Sequence, residues 1–383
     1  LRFSPADDML ITVWTRRSEA MDLLTVLTGI SERVGDLATA LLVGLLIGVV
    51  FGFAAQRSAF CLRSAAFEFA RRRAGRAMAI WLLTFSTAMV WVQGAQMAGL
   101  FRPDTARIMS VTGSWSGAII GGLVFGIGMV MARGCSGRLL VLAGTGNLRT
   151  VTAGMVFALT AQMTLSGALS PLRQSLAGIW VTPGGRNVNL LDAAGLPQWA
   201  GLVIGLIFAV AAIWLAVRAR TGARVLIWAC GAGFAVALGW VLTYALSQVA
   251  FDPVTVTSAT FAGPSAQVAM AVLTTDAGLS FDIGLIPGVF IGAFLGALAG
   301  RELRFEGYRD APQMLRSMGG GALMGFGGML AGGCAIGAGL TGTSVFNATL
   351  WLAAVMFFVG AWIGDRIFDR SAAEAEAPVQ VQH

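Results

Sequence analysis

The sequence predicts an all-α, polytopic membrane protein. It should have about nine transmembrane helices and four short re-entrant helices or loops, arranged as two inverted repeats. Three observations predict this. Of 383 residues, 56% are hydrophobic and only 12% are charged, about half the charged share of a soluble domain. Nine segments without Asp, Glu, Arg or Lys run from 16 to 24 residues, close to the roughly 17–25 that cross a bilayer as a helix. A glycine-rich stretch ending in Gly-Cys occurs twice, 199 residues apart.

Along the chain, residues 1–36 come first. Asp7, Asp8, Arg16, Arg17, Glu19, Asp22, Glu32, Arg33 and Asp36 make this a polar or amphipathic extension. Such charge density forbids both a span and the apolar core of a cleavable signal peptide. A membrane transport domain is expected over 37–363. Its first repeat, 37–169, holds the clean segments 37–54, 77–100, 114–131 and 151–169. Segment 199–217 is a connector helix. The second repeat, 225–363, holds 225–247, 284–300, 317–332 and 346–363, of which 317–332 is marginal in length. Trp81, Trp115, Trp199, Trp228, Trp351, Trp214 and Trp362 fall near segment ends, as an interfacial aromatic belt requires. A C-terminal tail, 364–383, completes the chain.

Four stretches are apolar or small but too short to cross: 58–70, 134–145, 258–273 and 334–344. Irregular backbone at membrane depth survives only inside protein or beside a water-filled cavity, so each reads as a loop plus a half-helix. Gly121–Cys135 (GGLVFGIGMVMARGC) and Gly320–Cys334 (GGALMGFGGMLAGGC) agree at seven of fifteen positions. A weaker echo pairs Ser58-Ala59 with Ser258-Ala259. An odd number of spans separates the copies, so they enter from opposite faces, the plan of many transporters. Gly134 and Gly333, before the two cysteines, are expected to free the backbone to bend inward. Grouping the loops by span count puts 18 of the 26 arginines on one side. Arg72, Arg73, Arg304 and Arg309 belong to that set. The positive-inside rule makes this side cytoplasmic, with the N-terminus outside and the C-terminus inside.

Composition excludes much chemistry. Histidine occurs once, at His383, and lysine is absent, so His-based catalysis, haem ligation and a P-loop are not expected. The four cysteines form no CxxC pair. No metal site, cofactor or catalytic residue is therefore expected. The net charge of +7 is explained by topology rather than by nucleic acid.

Cys230, in the middle of a span, reads as a small buried hydrophobe. Cys61, Cys135 and Cys334 each lie in a short re-entrant piece and each opens a half-helix. Backbone N–H groups and the positive dipole end there would meet an anion. Arg57, Arg63 and Arg138 are candidate anion attractors at the cytoplasmic mouth, or topology determinants only. Thr341, Thr343 and Ser344 are candidate donors on the opposite side, or helix caps.

At these residues the chain resembles the YeeE/YedE family of bacterial inner-membrane thiosulfate and sulfur-compound transporters. The matching pieces are GFAAQRSAFCLRSAAFE (52–68), GIGMVMARGCSG (126–137) and GFGGMLAGGCAIGAGL (325–340). With span count and spacing, the resemblance covers roughly 37–363. It implies an hourglass-like inverted-repeat fold and uptake of thiosulfate along a narrow path lined by Cys61, Cys135 and Cys334. It also implies a small cytoplasmic sulfur-carrier partner of the TusA type. Two rival readings remain at this level. One is a small-solute channel in which the cysteines only pack. The other is a membrane-bound persulfide or redox relay, for which Glu68 is the only acidic residue in a re-entrant piece.

Overall fold

The structure is a computed structural model that describes residues 24–71, 75–274, 278–303, 307, 308 and 310–370. Most of the N-terminal extension (1–23), most of the tail (371–383), and Arg72, Arg73, Arg304 and Arg309 lie outside the described residues. Among the described residues the protein is helical, with no strand beyond two isolated bridges.

After a helix at 24–34, the first half contains α1 (Asp36–Ser58), α2 (Leu62–Ala70), α3 (Arg76–Met97), α4 (Trp115–Met131), α5 (Ser136–Gly144), α6 (Leu148–Leu165) and α7 (Ser170–Gly178). Helix α8 (Trp199–Arg218) follows. The second half contains α9 (Ala223–Val249), α10 (Ala262–Leu273), α11 (Phe281–Gly300), α12 (Ala311–Leu330), a π-helical turn at Gly337–Gly342, and α13 (Ala348–Gly364).

Every one of the nine charge-free segments forms a helix. By length and composition, seven stretches qualify as membrane spans: Asp36–Ala70, Arg76–Met97, Trp115–Gly144, Trp199–Arg218, Ala223–Val249, Phe281–Gly300 and Ala348–Asp369. An eighth appears if α6 and α7, bent by 66°, count as one. Helix α12 is the remaining segment. Gln313, Arg316, Ser317 and its glycines lower its hydropathy, and it lies in the interior between α4 and α6. The expected four short pieces are present as α2, α5, α10 and the π turn, each preceded by non-helical residues.

The packing follows from glycine placement. Gly44, Gly48 and Gly52 of α1 lie against the carbonyls of Phe281, Leu285 and Val289. Gly284, Gly288 and Gly292 of α11 lie against those of Leu41, Leu45 and Val49. The two helices thus run parallel, with backbones as close as only glycine permits. The repeated stretch has matched partners. Gly122 and Gly126 of α4 meet the carbonyls of Ala353 and Phe357, whereas Gly321 and Gly325 of α12 meet those of Ala153 and Phe157. Helices α4 and α12 themselves run antiparallel, with Gly117 against Leu330 and Gly128 against Gly320. Further pairs correspond likewise: α2 packs on α3 and α13, as α10 packs on α11 and α6. Helix α8 packs on α3, outside this scheme.

Candidate functional site

Both glycine-rich helices end alike. The Gly134 N–H donates to the Met129 carbonyl and the Gly333 N–H to the Gly328 carbonyl, each 2.9–3.2 Å long. The left-handed residue that turns the chain is not the glycine before the cysteine. It is one position earlier, at Arg133 (φ 56°) and Gly332 (φ 80°). Gly333 serves by small size instead: a Cβ there would stand 2.8 Å from the Ala338 nitrogen, whereas one on Gly134 would meet only the Leu139 side chain, at 3.3 Å.

From that turn the chain folds into the protein. It leaves a polar cavity at Arg133 and returns to the same cavity at Arg149. In between, Gly137 packs against Ile336 and Phe261 of the other half. Cys135 and Cys334 are fully buried and Cys61 is 8% exposed. Cys61 and Cys135 are the N-cap residues of α2 and α5, and their thiols are near neighbours that act on one another electrostatically. The Ser64 N–H and hydroxyl lie near the Cys61 sulfur. The N–H groups of Leu62 and Arg138 lie near the Cys135 sulfur. The Phe261 N–H, at the start of α10, donates to the Cys334 sulfur at 3.3 Å. Helix starts thus aim their unpaired donors at all three sulfurs. Phe51, wholly buried, closes one wall, edge-on to Phe261 (centroids 5.4 Å apart) and to Phe60 (6.4 Å).

These contacts set the register of the repeat. Leu62 and Phe261 are 199 residues apart, as are Cys135 and Cys334, and each pair makes the same N–H to sulfur contact. The equivalent of Cys61 is therefore Thr260. The echo of Ser58-Ala59 in Ser258-Ala259 is one residue out of step. Applying the offset to Cys61 would have found Thr260 in the sequence. Beyond the cysteines the offset grows by one. Asn147 caps α6 and Asn347 caps α13, each by its side chain, and the left-handed residues before them are Gly146 and Phe346. The π turn at Gly337–Gly342 holds the extra residue, a common way for a helix to absorb an insertion.

The polar candidates separate on inspection. Arg57 pairs with Glu302 at 3.5 Å and Arg63 with Asp369 at 3.1 Å. Arg138 has no carboxylate within ion-pair reach among the described residues. It donates to Gln56 Oε1 at 3.3 Å and acts as a nearby positive charge on Cys61. The hydroxyls of Thr341, Thr343 and Ser344 are spent on carbonyls of Ala259, Gly339 and Leu340, and Thr341 respectively. Glu68 accepts from the N–H groups of Ala77 (3.1 Å) and Met78 (2.7 Å), capping α3. Cys230 lies apart, half-buried on α9. Among the described residues no group of three or more His, Cys, Asp or Glu side chains is placed to hold a metal.

The family described as sulphur transport matches residues 57–363. The thiosulfate transporter TsuA of Escherichia coli K12 is 27% identical over 346 residues, covering 84% of this chain and 93% of that protein. TsuA of Spirochaeta thermophila is 28% identical over 335 residues, covering 83% and 96%. A probable transporter, YedE of Salmonella typhimurium, is 33% identical over 82 residues, about a fifth of each chain.

Proposed function

The chain belongs to this sulphur-transport family, and we propose that it carries thiosulfate, or a closely related sulfur anion, through a central path lined by Cys61, Cys135 and Cys334. The observation that carries the reading is the neighbouring pair of buried thiols at two helix starts, with Cys334 placed alike in the other half. Thiosulfate is a dianion with a soft terminal sulfur. Stripped of water it needs fixed donors at every step, and the helix starts supply them. The thiols add polarisable, weak donors in their neutral form, since a thiolate would repel the ion. Weak binding at several stations allows the ion to leave.

Residues 37–169 and 225–363 are read as inverted repeats about α4 and α12, with α8 as connector. The antiparallel course of those two helices and their matched glycine contacts support this. Arg57, Arg63, Arg71, Arg133 and Arg316 gather with the ends of α1, α4 and α13 and the start of α12. This end is assigned to the cytoplasm of a bacterium, within its inner membrane, with a TusA-type carrier as receiver. The carrier rests on family resemblance alone. A redox relay is disfavoured because Glu68, its one candidate base, is committed to capping α3.

The test is growth of a bacterium lacking its own sulfur uptake systems, with thiosulfate as sole sulfur source. The intact chain should restore growth, and Cys135→Ala or Cys334→Ala should abolish it with normal membrane yield. Unimpaired growth of both variants would reduce the cysteines to packing and favour the channel reading.

A further inference from the structure

At the arginine-rich end, beside the thiol site but distinct from it, lies a cavity of about 260 Å3. Its walls are the end of α4 with Arg133, the start of α6 with Arg149, and the first turns of α12 with Arg316 and Ser317. Asp310 also lines it, but one carboxylate oxygen is taken by the Gln313 N–H at 2.8 Å. Arg316 places Nη2 on Asp369, which it shares with Arg63. Among the described residues neither Arg133 nor Arg149 has a carboxylate within ion-pair reach. Arg133 and Arg316 both act on Arg63 as like charges. Positive charge is therefore in excess around the cavity.

The unfilled groups are all of one kind. Arg149 Nε, Arg316 Nε and Ser317 Oγ are shielded from solvent, yet none has a hydrogen-bond partner among the described residues. Ser317 is only 4% exposed. Guanidinium nitrogens donate and never accept, and a buried donor left unpaired is costly. Two helix starts, those of α6 and α12, add a positive dipole end each. A cation or a neutral apolar ligand would leave these donors unmet. A small tetrahedral anion meets guanidinium and hydroxyl donors together.

We propose that this cavity is a second anion site, which binds a small dianionic oxyanion of the thiosulfate and sulfate class through Arg149, Arg316 and Ser317. Only the naming of thiosulfate as the natural occupant rests on the transport reading. The donor set itself selects shape and charge. Arg133 stands two residues before Cys135, so an ion released by the thiols meets this site next on its way out.

The experiment is calorimetric titration of the purified full chain in lipid-free detergent with sodium thiosulfate, and separately with sodium sulfate, at constant ionic strength. The wild type binds both ions. Arg149→Gln weakens sulfate binding at least tenfold and Ser317→Ala about threefold. Arg218→Gln, which removes one exposed charge elsewhere, changes it less than twofold. Thermal melting of each variant checks folding, and Ser317→Ala keeps the test open if Arg149→Gln fails to fold. A wild type that takes up neither ion, as a site for phospholipid headgroups would, overturns the proposal. So does a folded Arg149→Gln or Ser317→Ala chain that binds sulfate normally. Sulfate binding with no thiosulfate uptake in proteoliposomes would strike the transport reading and leave the site standing. Uptake without a titratable sulfate site would do the reverse.

Discussion

At the residue scale, the arginines near the thiols differ by what they already hold. Arg57 is bound to Glu302, and such half-exposed pairs change little when one member is removed. Arg138 sits three residues after Cys135, is half-buried, and donates to Gln56. Among the described residues no carboxylate is within ion-pair reach of it, so its charge is available to an arriving dianion. Arg138→Gln should lower thiosulfate uptake about tenfold, about 1.4 kcal/mol in the barrier. Arg57→Gln should stay within about twofold under the same mass-action scale. Initial rates in proteoliposomes decide between them, and equal effects would assign both residues to topology alone.

At the element scale, α5 and the π turn each lead into a full-length helix capped by asparagine, but the two caps are unequal. Asn347 is fully buried. It accepts from the Leu350 N–H (3.1 Å) and the Thr349 hydroxyl (3.0 Å), and donates to the Ile108 carbonyl (2.8 Å). It therefore fastens α13 to the loop before α4 and steadies the end of the π turn. Asn147 caps α6 through the Thr150 N–H at 3.2 Å. Losing a cap costs typically about 1 kcal/mol, and losing the hydrogen bond to the Ile108 carbonyl, which then keeps only Asn187 Nδ2 at 3.3 Å, adds about 0.5–1.5 kcal/mol. Asn347→Ala should therefore lower the melting temperature in detergent clearly more than Asn147→Ala. Equal shifts would mean that the contact to Ile108 contributes nothing.

At the scale of the whole molecule, the two halves interlock rather than meet at a seam. The closest pairs, α1 with α11, α4 with α13 and α6 with α12, each take one helix from either half. Neither half can bury its own glycine faces. Fragments 1–219 and 220–383, made separately, should fail to accumulate in the membrane, whereas co-expression should restore both and some uptake. Accumulation of one fragment alone would show a self-sufficient domain. Topology is tested at the same scale. Reporters at residues 20 and 375 should label opposite sides of the membrane, as the 18-of-26 arginine split requires. Labelling on one side would end the inverted-repeat reading.

Composition and spacing determined the helical membrane class, the nine helical segments and the four short pieces, because hydrophobic length and glycine periodicity are local properties of the chain, and the family was legible as a resemblance in the motifs at 52–68, 126–137 and 325–340. The cysteines stood out for the same reason: Gly-Cys closes both copies of a repeat. Only the tertiary structure decided that Cys61 and Cys135 are neighbours and that Arg57 and Arg63 are neutralised. It also decided that the left-handed turns fall at Arg133 and Gly332. Glu302 is 245 residues from Arg57 and Asp369 is 306 from Arg63. Which donors remain unpaired depends on partners that distant in the chain, and those partners meet only after the two halves have packed together.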